Sequence, residues 1–185
     1  MMSFEHPTWI EQVIERLYCY GLARARYEKY VDQMNIQGNE IVLDFGCGGG
    51  ASSKPILNRL SSNGTLICLD TSAHWIKQVK KRFKKWHHVV FFNSDITQSD
   101  IADESIDIIT MTYVIHDIPV SRHEEIITLL SQKLKPGGRF IFREPTKPHH
   151  GIQPSEISRL MNKNGLINIK EKHENTMYFG IFQKP

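Results

Sequence analysis

The residues that most constrain the fold are Ile41-Val42-Leu43-Asp44-Phe45, followed at once by Gly46-Cys47-Gly48-Gly49-Gly50. A short apolar run that breaks into glycines reads as a buried strand delivering the chain into a tight turn, where the backbone lies bare to a ligand. The same rhythm repeats downstream. Residues 65–69 form a second apolar run after the turn pair Asn63-Gly64 and end at Asp70. Residues 88–92 and 106–114 read as the third and fourth strands, and 139–143 as the fifth.

Helices are expected between them. The first covers residues 51–60. The second carries Ile76, Val79, Phe83 and Trp86 on one stripe, with its lysines mostly off it. Ser121 and Glu124 have the spacing of a capping box opening a third, which carries Ile126, Ile127, Leu130 and Leu134 and closes at Pro136-Gly137-Gly138. Another, around Ile157, Leu160 and Met161, ends at Gly165. Residues 166–172 and 176–182 then form a hairpin joined by His173-Glu174-Asn175.

Strand–helix alternation predicts an α/β fold. It would be a doubly wound, mostly parallel seven-stranded sheet with a C-terminal antiparallel hairpin, helices on both faces and right-handed crossovers. At 185 residues the chain suits a single domain, 1–185. Residues 1–38 form its helical N-terminal cap, because Ile10, Val13, Ile14 and Leu17, then Tyr27, Tyr30, Val31 and Met34, fall at helical spacing. Residues 39–185 form the α/β core.

Composition narrows the class. With 10% aromatics and a net charge of +3, the chain is neither disordered nor charged enough to imply nucleic acid. No apolar run approaches the ~20 residues of a membrane span, and the N-terminus lacks the charge and apolar pattern of a secretory signal. Cys19, Cys47 and Cys68 form no Cys-x-x-Cys pair, which fits a reduced, cytoplasmic setting. No metal site is expected; His149, His150 and His173 read as solvated loop residues.

Asp44, Asp70, Asp95 and His116 fall at or just past strand ends, the rim where such sheets bind ligands. Read loosely, Gly46-x-Gly48-x-x-Ala51 also fits a dinucleotide fingerprint. Asp44 argues against that, because a carboxylate two residues before the first glycine repels a pyrophosphate and suits an ammonium group. Asp70, 26 residues further on, is placed to accept from ribose hydroxyls. The ligand so described has an amine, a ribose and no phosphate.

In these segments the chain resembles the class I, seven-strand S-adenosylmethionine-dependent methyltransferases. Val42 to Gly50 looks like that family's first motif, and Leu69-Asp70 like its ribose-binding acid. Ser94-Asp95-Ile96 looks like its adenine step, residues 103–109 like its entry to the fourth strand, and residues 134–140 like its turn into the fifth. The likeness is to small-molecule members of the ubiquinone/menaquinone-biosynthesis-like group. It implies S-adenosyl-L-methionine as cofactor and S-adenosyl-L-homocysteine as product. It implies that Asp44 holds the methionine amine, that Gly46, Cys47 and Gly48 meet the cofactor, and that Asp70 and Thr71 lie at the ribose. Asp95 and Ile96 then lie at the adenine, with Tyr113 also in contact.

The resemblance places the acceptor at the end of the fourth strand, where Tyr113-Val114-Ile115-His116-Asp117 offers His116 as a base. Tyr20, His116, Arg143 and Glu144 are expected to border a small-molecule acceptor, roofed by the N-terminal helices with Trp9 and Tyr18. No nucleobase-amino motif follows the fourth strand. Two alternatives stand beside this reading. One is an RNA methyltransferase using the basic helix of Lys77, Lys80, Lys81, Arg82, Lys84 and Lys85. The other is an S-adenosylmethionine-binding module without catalysis.

Overall fold

The computed structural model describes residues 21, 23–147 and 150–185. The sequence expectations at Trp9, Tyr18, Cys19, Tyr20 and His149 lie outside the described residues. The chain falls into two compact units, one holding residues 46–95 with the described residues up to Glu40, the other holding residues 41–45 and 96–185. The fold class is the expected one, a mixed, mostly parallel sheet with a C-terminal antiparallel hairpin and helices around it. Among the described residues no helix is long and apolar enough to cross a membrane.

The first unit contains α1 (Arg24–Asp32), α2 (Ser53–Leu57), β2 (Thr65–Asp70), α3 (Ala73–Phe83) and β3 (Val89–Asn93). Strands β2 and β3 run parallel, with Asp70 opposite Asn93. Helix α3 begins where the Ser72 side chain accepts from the Trp75 amide. It buries Ile76, Val79 and Phe83, three residues of the apolar stripe read from the sequence, together with Trp75. Trp86, the fourth residue of that stripe, lies beyond the helix end and is half-buried. Its last turn carries Lys80, Lys81 and Arg82, the sign that suits a helix C-terminus. Arg59 ties α1 to the segment after α2, reaching Glu28 at 2.9 Å and Asp32 at 2.6 Å.

The second unit contains β1 (Ile41–Phe45), β4 (Ile106–Thr112), α4 (Val120–Lys133), β5 (Leu134–Lys147), β6 (His150–Gly151), α5 (Pro154–Lys163), β7 (Ile167–Glu174) and β8 (Met177–Gln183). Strands β1, β4 and β5 pair in parallel. Strands β5 and β8, and then β8 and β7, pair antiparallel. Val42, Leu43, Ile108, Ile109, Phe140 and Phe142 are fully buried, and the rings of Phe140 and Phe142 stack at 4.6 Å. Strand β7 is exposed along its whole length, and its second half carries Lys170, Glu171, Lys172 and Glu174, charges that discourage edge-to-edge pairing.

Three local expectations are corrected. Ser121 and Glu124 form no capping box: Pro119 is the N-cap of α4, and Ser121 already lies inside the helix. Strand β5 starts at Leu134 rather than Arg139, directly at the end of α4. The register slips between Ile106 and Ile108, so the Pro136-Gly137-Gly138 turn is absorbed as a bulge within the strand. The hairpin loop is shorter than expected, with only Asn175 and Thr176 between the strands. Asn175 takes the left-handed φ of 51° that such a tight loop needs. The short strand β6, not foreseen, pairs with β5 at Thr146 and Lys147.

Candidate active site

The glycine loop leaves β1 with Gly46, Gly48 and Gly50 at φ of 68°, 48° and 87°. All three are in the left-handed region that a side chain strains to enter, so the loop requires glycine at these positions. The end of β2 anchors it. The Leu69 carbonyl accepts from the amides of Gly46 at 2.8 Å and Cys47 at 3.1 Å. Asp70, 4% exposed, accepts from the Gly48 amide through Oδ2 and from the Ser72 amide through Oδ1, each at 2.8 Å. Asp70 thus braces the loop as well as ending the strand. Arg82 of α3 closes the other side by donating to the Gly49 carbonyl.

Asn93 was missed in the sequence. Its side-chain amide donates to the carbonyls of Asp70 at 3.1 Å and Thr71 at 2.9 Å, fixing the chain just after the acid. Its place opposite Asp70 at two parallel strand ends was the available signal. Cys47 is buried beside Gly48, Thr71 is exposed and Asp95 is half-buried.

In the second unit, Asp44 is buried in β1 opposite Thr110, and Ile96 is buried at the start of a single 3-10 turn, Ile96–Gln98. Beyond β4, Tyr113 adopts φ of 59°, an outlier for a bulky residue, held by its amide donating to the Arg143 carbonyl at 2.9 Å. The Arg143 guanidinium lies 5.1 Å from the centre of the Tyr113 ring.

The next turn, Ile115–Asp117, carries His116. Its Nδ1 lies 2.7 Å from Oε2 of Glu144, a residue with no exposed surface. Oε1 of the same carboxylate accepts from the amides of Val114 at 2.8 Å and Ile115 at 3.3 Å. Burial pushes the Glu144 carboxyl up, against the opposing pull of His116 and the two amides. Burial also pulls the His116 imidazole down, but the hydrogen bond and charge of Glu144, helped by Asp117, outweigh it and the net shift is upward. With Glu144 accepting from Nδ1–H, the lone pair of neutral His116 sits on Nε2.

The structure therefore brings Gly48 and Asp70 together, Tyr113 and Arg143 together, and His116 and Glu144 together. His150 lies against His116, ring centres 4.8 Å apart, while His173 packs on Tyr178. The donor set fits S-adenosylmethionine. Asp70 is a carboxylate at a strand end, an acceptor by chemistry, with an oxygen on each of two backbone amides. The glycines of the loop carry no side chain to bar a ligand from its backbone.

A Rossmann-like α/β domain with an acid-braced glycine loop is a nucleoside-binding class of fold. Residues 42–138 match the family described as a methyltransferase domain, and the chain belongs to that family. It is an enzyme family, of class I S-adenosylmethionine-dependent type, and its cofactor is S-adenosylmethionine. Among solved structures, a TehB-like S-adenosylmethionine-dependent methyltransferase from Corynebacterium glutamicum superposes with TM-score 0.74 at 15% identity, covering 94% of this chain and 95% of that one. The N-methyltransferase NodS from Bradyrhizobium japonicum, in complex with S-adenosylhomocysteine, superposes with TM-score 0.69 at 18% identity, covering 85% and 86%. Among curated sequences, ribosomal RNA small subunit methyltransferase H of Clostridium botulinum is 33% identical over 97 residues, 52% of this chain. The match spans 31% of that relative's length.

Proposed function

We propose that this chain transfers a methyl group from S-adenosylmethionine to a small-molecule acceptor, with His116 taking the acceptor's proton. The observation that carries the reading is the 2.7 Å pairing of His116 Nδ1 with the buried Glu144 carboxylate, which leaves Nε2 as the basic atom. When bound, the cofactor supplies a methyl group already activated on a sulfonium, so the protein's main task is positioning. Gly46, Cys47 and Gly48 hold it through the loop, Asp44 through its amine, Asp70 and Thr71 at the ribose, and Asp95, Ile96 and Tyr113 at the adenosine. Tyr113 and Arg143 border the acceptor. Glu144, wholly buried, acts behind His116 as a positioning residue. An O–H or protonated N–H acceptor loses its proton to His116 Nε2.

The RNA reading draws support from the ribosomal RNA methyltransferase relatives and the basic face of α3. Two aromatic residues after that helix, Trp86 and Phe91 of β3, are already engaged by lysines of this chain: Lys54 lies 3.8 Å from the Trp86 ring centre and Lys80 5.9 Å from that of Phe91. The small-molecule reading needs only the oriented imidazole. Screening a metabolite panel and structured RNA for S-adenosylhomocysteine release separates the two. Turnover of a metabolite that falls ~10²–10⁴-fold in His116→Ala is expected. Release only on RNA, abolished by neutralising Lys77, Lys80, Lys81, Lys84 and Lys85, would replace this reading.

A further inference from the structure

His116, Asp117 and His150 bring one ligand atom each to within 4.8 Å of one another. Residues 148 and 149 aside, His150 reaches this point because β6 pairs with β5 and carries the chain back beside the strand that bears Glu144. Chain distance hid the cluster from sequence reading. We propose that these three side chains form a site for a divalent transition ion of the zinc class, independent of S-adenosylmethionine.

Three features support it. Donors of two imidazoles and one carboxylate on one side of an ion are a recurrent set for zinc, cobalt and iron, and they leave positions open. The spacing is close to what is needed. Ligand atoms on a tetrahedral ion with bonds of about 2.1 Å stand about 3.4 Å apart, and His116 Nε2 lies 3.6 Å from Asp117 Oδ1. Asp117 and His150 are exposed, and both already lie against His116. The third feature is the buried partner. A metal-bound histidine usually donates its other ring N–H to a carboxylate, which fixes the tautomer and raises the ligand's basicity. Glu144 is already in that relation to His116, its second oxygen pinned by two backbone amides.

The site rests on the same Nε2 lone pair that the proposed function uses for proton transfer. The ion and the proton are therefore alternative occupants of one atom, and the metal-loaded chain lacks its base.

The test is a titration of the metal-stripped full chain with Co²⁺, read by its visible d–d absorption, and with Zn²⁺ by competition. One equivalent should bind. His150→Ala and Asp117→Asn, both at exposed positions, should each weaken binding by more than tenfold, and Glu144→Gln by ~10–100-fold. S-adenosylhomocysteine affinity, measured on the same samples, should be equal in wild type, His150→Ala and Asp117→Asn, showing that those variants are folded. Absence of a saturable Co²⁺ signal in the wild type, or equal Co²⁺ affinity in His150→Ala, overturns the proposal. Neither result bears on the methyltransferase reading, which the S-adenosylhomocysteine titration tests separately.

Discussion

Glu144 Oε2 stands 2.7 Å from His116 Nδ1, while its other oxygen caps the amides of Val114 and Ile115, so one buried carboxylate fixes both the turn and the ring it carries. Exchanging it for glutamine keeps the shape and removes the charge. The glutamine carbonyl would stay on the two amides, and its NH₂ would then face Nδ1, forcing the proton of neutral His116 onto Nε2. Glu144→Gln is therefore expected to lower turnover on a proton-bearing acceptor by ~10²–10⁴-fold, the usual worth of a positioned base. S-adenosylhomocysteine affinity should stay within about twofold. Rate measurements with calorimetry on the same preparation decide it. A variant with wild-type turnover would show that the ring's tautomer is set elsewhere.

The strand ends at Asp44 and Asp70 were legible because a buried parallel strand is a short apolar run with a polar stop, and the glycine loop because three positive φ angles leave few other residues possible. Asp95 lies two residues beyond the end of β3 at Asn93. Local rules failed where tertiary structure competes with them. Ser121 and Glu124 have capping-box spacing, but Pro119 starts the helix earlier with a φ of −53°. The bulge opposite Ile106 and Ile108 moved the start of β5, because pairing to β4 overrides the turn signal of two glycines. His116 was named as a base, but its partner Glu144 lies 28 residues away, a separation no periodicity encodes. Asn93 was missed because its role exists only once β2 and β3 are in register, and its place at a strand end beside Asp70 was its one signal.

Tyr113 holds a backbone conformation that costs roughly 1–3 kcal/mol for a non-glycine residue. Tyr113→Gly removes that strain but adds about 0.5–1 kcal/mol of chain entropy cost. It also loses about 0.5–1 kcal/mol of contact with Arg143. The terms offset, so urea unfolding should show a stability change within about 1 kcal/mol, despite deletion of a large side chain. Function should suffer more, through weaker cofactor binding or slower turnover. A stability loss of several kcal/mol would mean that the ring is a core element and the φ value carries no strain.

Burial, with the charge of Glu171 adding to it, pushes the Tyr178 hydroxyl up to about 12 from 10.0. The neutral phenol is thus favoured in the folded chain. The stabilising difference is fully present below pH 10, where neither state ionises, and is lost as pH rises through 12. At 1.36 kcal/mol per pKa unit the loss amounts to about 2–3 kcal/mol. Comparing wild type with Tyr178→Phe cancels the lysines that titrate in the same range. Their stability difference should be flat from pH 7 to 9 and then shift against the wild type toward pH 12. Parallel pH profiles would show that the phenol ionises as easily folded as unfolded.

Asp70 has one duty in the structure and a second in the proposed function, and the two separate experimentally. It accepts from the Gly48 and Ser72 amides, so Asp70→Ala strips two buried donors and should cost roughly 1–3 kcal/mol of folding stability per donor left unsatisfied. In the proposed cofactor role it also accepts from the ribose, where hydrogen bonds to a charged group are worth roughly 1.5–3 kcal/mol, or about 10- to 150-fold in affinity for S-adenosylhomocysteine. A weaker dissociation constant alone does not distinguish a distorted loop from a lost ribose contact. The 2′-deoxy analogue does. If Asp70 holds the ribose, removing the hydroxyl penalises binding to the wild type but adds little in Asp70→Ala, so the two losses are not additive. If the acid only braces the glycine loop, the deoxy penalty is the same in both proteins. Equal penalties would move the ribose contact to another residue and leave Asp70 as the anchor that shapes the loop.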